Sequence, residues 1–116
     1  MAGAGGGIEE LPIAAPIFAA LGDPVRLAML ARLCKDGPLP TVSLRQSAGV
    51  TRQGLTKHLH VLEQAGLVSS DRVGRDRRWR ISAQQLAAAR GYLDRISALW
   101  DLRLERLRAF VEDAGN

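Results

Sequence analysis

Arg52, Gln53, Thr56, Lys57 and His60 follow one another on a short stretch of chain that also holds Leu55, Leu59 and Leu62. The leucines keep the i, i+4, i+7 spacing of a buried helix face, which predicts a helix over 52–65 with the polar side chains on its outer surface. Arginine can form two hydrogen bonds with guanine and glutamine two with adenine, while threonine and lysine suit thymine methyl groups and phosphates. No carboxylate interrupts this face before Glu63. A second set, Arg72, Arg75, Arg77, Arg78 and Arg80, follows closely. Crowded guanidinium groups suit a phosphate backbone; the plainer reading is a solvated hairpin. Either way this is chemistry of recognition, not of bond making.

The charge distribution supports a polyanionic partner. The chain of 116 residues carries a net charge of +4. In residues 43–81, Arg45, Arg52, Lys57 and the five hairpin arginines face only Glu63, Asp71 and Asp76, a net of +5. Residues 1–42 come to −1 and residues 82–116 to zero. The whole basic excess lies in the middle third, as a surface facing double-stranded DNA requires.

Catalytic patterns are not found. There is no phosphate-binding glycine loop, no nucleophile elbow and no telling arrangement of paired carboxylates or of Ser, His and Asp, so no enzyme is expected. Metal ligands are equally sparse. Cys34 is the single cysteine, and the two histidines, His58 and His60, stand two apart on one helix and point to different sides. Neither a metal site nor a cofactor is expected. Cys34 ends an apolar helix face and reads as a buried, inert thiol; thiol-based sensing would need exposure and a cysteine from a second subunit.

The elements that must position these residues are legible in outline. Residues 1–10 read as a mobile glycine-rich tail, and residues 11–116 as one domain. Apolar residues from Ile13 to Leu21 suggest a first helix. Asp23-Pro24 starts a second, which runs to Cys34 with Leu27, Leu30, Ala31 and Cys34 on one face. Gly37-Pro38-Leu39-Pro40 reads as a linker. Ser43 to Gln46 has the form of a capping box and opens a very short helix. Gly49 permits a left-handed turn, Thr51 caps the helix 52–65, and Gly66 stops it. A short helix, a tight turn and a longer helix form the helix-turn-helix pattern. Leu67–Val73 and Arg77–Ile81 read as strands joined around Gly74-Arg75-Asp76, an exposed hairpin or wing.

Ser82 to Gln85 forms another capping box and opens a long terminal helix over about 83–113. Leu86, Leu93, Trp100 and Leu107 recur every seven residues along it, with Ala89, Ile96 and Phe110 in companion positions and Arg103 breaking the series. So apolar a helix exceeds what the rest of one small chain can cover, and pairing with a second copy buries it. The alternative is packing within one chain. The fold class is therefore mainly α with a small β-hairpin, a winged helix-turn-helix dimerised through terminal helices. No apolar run approaches the roughly 20 residues that span a bilayer. Met1 to Gly7 has no basic residue ahead of an apolar stretch and does not read as a signal peptide. A reduced, cytoplasmic setting with no membrane partner is expected.

Leu21-Gly22-Asp23-Pro24-Val25-Arg26 resembles the "LaDptR" opening of the ArsR/SmtB family of bacterial repressors. The segment Gly49 to Leu59 resembles that family's "GlsqptvSkHL", and Val61 to Val68 its "vLeeaGLV". Gly74 to Ile81 resembles the family wing "GRxRxYrl", with Trp79 where tyrosine is usual. The match spans about Ile17 to Ile81, and Tyr92-Leu93 to Trp100 and Leu104 resembles a subgroup with a long terminal helix. The resemblance implies a dimeric repressor on a palindromic operator near its own gene, with helix 52–65 in the major groove and the wing on the backbone or adjacent minor groove. His58 matches the family's motif histidine, read here as structural or backbone-contacting. Metal-responsive members use a Cys-x-Cys pair before the recognition unit, or Asp and His ligands across the terminal helices. This chain departs from both patterns.

Two other readings stay open on the sequence. One is a metal- or thiol-responsive sensor repressor of the same fold, in which an unknown small-molecule or redox effector biases two conformations of different DNA affinity. The other is a protein-interaction module that uses the terminal helix and binds no DNA.

Overall fold

The computed structural model describes residues 11–115, with side chains from residue 14 onward. The glycine-rich tail expected at residues 1–10 lies outside the described residues. The chain forms α1 (Leu11–Leu21), α2 (Pro24–Asp36), β1 (Leu39–Pro40), α3 (Thr41–Ala48), α4 (Arg52–Gln64), β2 (Val68–Val73), β3 (Asp76–Ile81) and α5 (Ala83–Ala114). It is mostly helical, with one small antiparallel sheet in the order β1-β3-β2.

Local chemistry sets most boundaries. Asp23 caps α2, its Oδ2 accepting from the Arg26 backbone N–H at 3.0 Å, and Pro24 occupies the first turn where its missing N–H costs nothing. Gly49 follows α3 in the left-handed region (φ 67°), so the chain turns sharply into Thr51, whose Oγ1 accepts from the Gly54 N–H at 3.0 Å and opens α4. The register of β2 on β3 runs from Val68↔Ile81 to Val73↔Asp76. That leaves a two-residue turn, Gly74-Arg75, one residue tighter than the sequence suggests.

The structure corrects several sequence expectations. The buried face of α2 is Met29, Leu30 and Leu33; Leu27, Ala31 and Cys34 are exposed. Two overlapping apolar stripes exist in this helix, and packing against α1, α3 and α4 selects the one that starts at Arg26. Cys34 is thus not a buried thiol. The expected linker at residues 37–40 contains an edge strand, β1, which pairs Leu39↔Trp79 and Pro40↔Arg78. Proline is tolerated there because an edge strand can lack a donor. Since β1 runs straight into α3, that helix starts at Thr41 with Pro40 as its cap and no side-chain capping bond. Ser43 lies inside the helix and is no cap. At the start of α5, Ser82 Oγ does accept from the Gln85 N–H. The Gln85 side chain does not return to complete the box; it donates instead to the Ala65 carbonyl at the end of α4, at 2.9 Å.

One core joins these elements. Ile17, Leu44, Leu55, Leu62 and Leu67 are fully buried, with Leu30, Leu33, Leu59 and Trp79 beside them. The first turns of α5 join through Ala89 and through Tyr92, whose ring meets Phe18 at 6.0 Å. Beyond them α5 leaves the body. At 1.5 Å per residue its 32 residues measure about 48 Å, which explains a long molecular axis of 71 Å. Among the described residues, no single helix is long and apolar enough to cross a membrane.

Two substitutions test these boundaries by urea unfolding. Thr51→Ala removes the α4 cap and is expected to cost about 1 kcal/mol. Gly66→Ala places a Cβ 2.9 Å from Gln85 Nε2 at a φ of 76°, and is expected to cost on the order of 1–2 kcal/mol from backbone strain alone.

Candidate nucleic-acid interface

The buried leucines of α4 dictate where its polar residues stand. With Leu55, Leu59 and Leu62 in the core, Arg52, Gln53, Thr56, Lys57 and His60 are all exposed. They do not form one uniform face. Arg52, Thr56 and His60 line an open groove between α4 and the wing, whereas Gln53 and Lys57 are exposed but do not line it. The Thr56 hydroxyl donates to the Arg52 carbonyl at 3.0 Å, so its methyl group and lone pairs remain for a partner.

The groove holds about 660 Å³. Arg75 and Arg77 approach it from the wing, and Arg45 from α3. Arg45, Thr41 and Val42 were not singled out by sequence, because only the fold brings the start of α3 against the wing. Arg45 left a legible trace in the basic excess; Thr41 and Val42 left none. Glu63, at the far end of α4, and Asp76 of the wing also line the groove, two carboxylates against its four arginines.

The hairpin arginines divide between two faces. Arg72 pairs with Arg77 on the Trp79 face, and Asp71 with Arg78 on the other. All five are exposed. They are not equivalent: Arg80 is ion-paired to Asp71, and Arg77 donates to Ser70 Oγ at 2.8 Å. Arg80 therefore adds less free charge than its position suggests.

His58 points away from the groove. It is half-buried at the corner where α1 ends and α2 begins. Arg26 Nη1 lies 3.3 Å from its Nδ1, and Asp23 Oδ2 lies 3.8 Å away. A guanidinium only donates, so a bond from Arg26 needs Nδ1 as its acceptor, whereas an ion pair with Asp23 needs a protonated ring. Arg26 also donates through Nε to the Ala20 carbonyl at 2.7 Å, closing the end of α1. Asp23, Arg26 and His58 thus tie three helices together, and the resemblance of Leu21 to Arg26 gains a physical reason. The Arg26 N–H holds the Asp23 carboxyl below its usual 3.8; partial desolvation opposes this, and the charges of His58 and Arg26 add to it.

The ligand patterns of metal-responsive relatives do not fit these positions. Cys34 is exposed at the end of α2, His58 faces Arg26, and His60 faces the groove. Among the described residues no three His, Cys, Asp or Glu side chains gather where they could hold an ion. The side chains expected at a dimer contact lie on α5. Leu86 packs against the core, while Leu93, Ile96, Trp100, Leu107 and Phe110 are between 46% and 71% exposed. Leu99, Leu102, Leu104 and Val111 extend the same apolar surface.

A tight helix-turn-helix followed by a wing defines a class of DNA-binding transcriptional regulators. A helix-turn-helix domain model matches residues 21–71. The uncharacterized HTH-type transcriptional regulator YuzN of Bacillus subtilis is 42% identical over 67 residues, which span 53% of this chain and 73% of the relative. An HTH-type transcriptional regulator of Mycobacterium tuberculosis is 33% identical over 97 residues, 84% of this chain and 87% of its own. In structure the chain resembles an ArsR-like transcriptional regulator from Rhodococcus sp. RHA1, with a TM-score of 0.78 at 35% identity, covering 89% of this chain and 96% of that one. The chain belongs to the ArsR family of winged helix-turn-helix transcriptional regulators, whose members are regulators and not enzymes.

The Asp23 corner carries a pH dependence of definite sign. A carboxyl whose folded pKa is lowered stabilises the fold above its ordinary value, and that stability disappears as pH falls through the lowered one. Asp23→Asn retains a capping side chain without the charge. Urea unfolding from about pH 5 to about pH 2 is expected to show a smaller acid-induced loss in Asp23→Asn than in the parent.

Proposed function

We propose that the chain is a homodimeric transcriptional repressor that binds a palindromic operator. The observation that carries this reading is the convergence of Arg45, Arg52, Thr56, His60, Arg75 and Arg77 on one open groove, with Gln53 and Lys57 exposed on the same helix. In this reading α4 enters the major groove, where Arg52 and Gln53 meet base edges while Thr56, Lys57 and His60 add base and phosphate contacts. The wing lies on the backbone or adjacent minor groove through Arg72, Arg75, Arg77 and Arg78, with Arg80 a lesser contributor. Residues 11–116 act as one unit, and α5 joins it to a second copy through Leu93, Ile96, Trp100, Leu107 and Phe110; Leu86, expected at this contact, packs against the core of its own chain. A symmetric dimer presents two copies of α4 and so selects a two-fold operator. We place the protein in the cytoplasm, with DNA.

Fluorescence-anisotropy titration against the DNA upstream of its own gene, with a scrambled duplex as control, tests the reading at two salt concentrations. Tight, sequence-dependent binding by a dimer is expected. Equal, weak and salt-labile binding to both duplexes would remove the operator reading and favour the interaction module. Zinc is expected to leave binding unchanged. The exposure of Cys34 supports an added arm with a thiol oxidant, since an exposed thiol can pair with its copy in a second subunit.

The two surfaces separate by variant. Arg75→Ala or Arg78→Ala is expected to weaken binding to every sequence and to reduce the slope of log K against log salt by about 0.9 per lost phosphate contact. Arg80→Ala is expected to change that slope less. Arg52→Ala or Gln53→Ala is expected to relax preference at one base pair, by about 1–3 kcal/mol. Base preference that follows the wing, with salt slope following α4, would reverse the roles.

A further inference from the structure

The base of the wing is held by the buried side chains of Val68 and Trp79, while its arginine-bearing end is exposed. Its inner strand, β3, pairs with only two residues of β1, Leu39 and Pro40. Pro40 has no N–H, which confines β1 to the edge of the sheet. Continued by one step, the register would place Thr41 opposite Arg77. At that step Thr41 is already the first residue of α3, and its backbone has turned into the helix.

Its side chain adds two contacts to the wing. The Thr41 hydroxyl donates to the Arg77 carbonyl at 3.4 Å. The same oxygen accepts from the Trp79 indole Nε1–H at 2.9 Å. Each group has the correct polarity: the indole only donates, the carbonyl only accepts, and the hydroxyl does both. Trp79 is buried, so its N–H needs this partner. Pro40 holds the cap position of α3, so the Thr41 hydroxyl, on the first helical residue, is not needed as a cap. The hydroxyl is committed to the wing.

We propose that Thr41 and Trp79 form a latch that positions the wing beside α4, making Thr41 a positioning residue for phosphate contact by Arg75 and Arg77. Thr41, Arg75, Arg77 and Trp79 all line the same groove, so a wing that swings about β1 changes the width between its arginines and Arg52. The latch rests on the reading of the wing as a phosphate-contacting surface.

The test uses the full chain and the operator titration in varying salt, with Thr41→Val, Thr41→Ser, Trp79→Phe and Arg75→Ala. Thr41→Val keeps the β-branched shape and removes the hydroxyl. It is expected to weaken operator binding about three- to tenfold and to reduce the salt slope by about 0.9. Thr41→Ser is expected to restore both values. Trp79→Phe, which keeps an aromatic ring but no donor, is expected to match Thr41→Val. Base preference at Gln53 should not move, and Arg75→Ala should change the slope less in the Thr41→Val background than in the parent. Circular-dichroism melting identifies a variant that has failed to fold, and the remaining variant then decides. Parent-like affinity and slope in Thr41→Val, with both reduced in Arg75→Ala, would overturn the latch and leave the wing reading intact. A slope unmoved by Arg75→Ala as well would overturn both.

Discussion

Burial of one leucine stripe on α4 is the constraint from which the interface follows. Leu55, Leu59 and Leu62 are almost completely removed from water. Each such side chain stabilises burial by roughly 1.5–3 kcal/mol, and turning the helix by one position would expose the stripe. The face carrying Arg52, Gln53, Thr56, Lys57 and His60 therefore stands outward without any interaction of its own to hold it there. The outward residues are free to vary in chemistry because the opposite side of the same helix fixes their direction.

Around that helix, side chains of one element repeatedly close the carbonyls left at the end of another. Arg26 donates to Ala20 at the end of α1, Gln85 donates to Ala65 at the end of α4, and Thr41 donates to Arg77 in β3. Helix ends always leave carbonyls without intrahelical partners, and a buried one is costly. Satisfying them from neighbouring elements does two things at once. It removes the penalty, and it fixes the angle at which consecutive elements meet. In a protein this small such joints complement a core that is itself modest.

The terminal helix follows another logic. Its first two turns belong to the core through Leu86 and Ala89, while from Leu93 onward apolar side chains face solvent in a single chain. Its charges balance, in contrast to the excess of +5 in residues 43–81. Electrostatic attraction and apolar association are thus assigned to separate parts of the chain. A charged ligand and an apolar partner can be engaged together without either desolvating the other's surface.

Much of this was legible in the residues. Helical spacing gave α4 its buried and exposed sides, Asp23 and Thr51 marked helix starts, and Gly49 and Gly74 marked turns. Those features are local: they depend on backbone conformation and on neighbours a few positions away. The face of α2 was not legible, because its sequence contains two overlapping apolar stripes and only contact with α1, α3 and α4 selects between them. Nor was β1, since a strand of two residues ending in proline has no propensity of its own and exists because Trp79 and Arg78 lie beside it. The division of the polar residues of α4 into those that line the groove and those that do not, and the entry of Arg45 and Thr41 into the groove, likewise depended on where the wing folds back. Residue types and local spacing settle which segments are basic, which helices carry apolar residues and how α4 is oriented. Tertiary structure alone decided which of those residues share a groove, because that depends on packing between segments far apart in the chain.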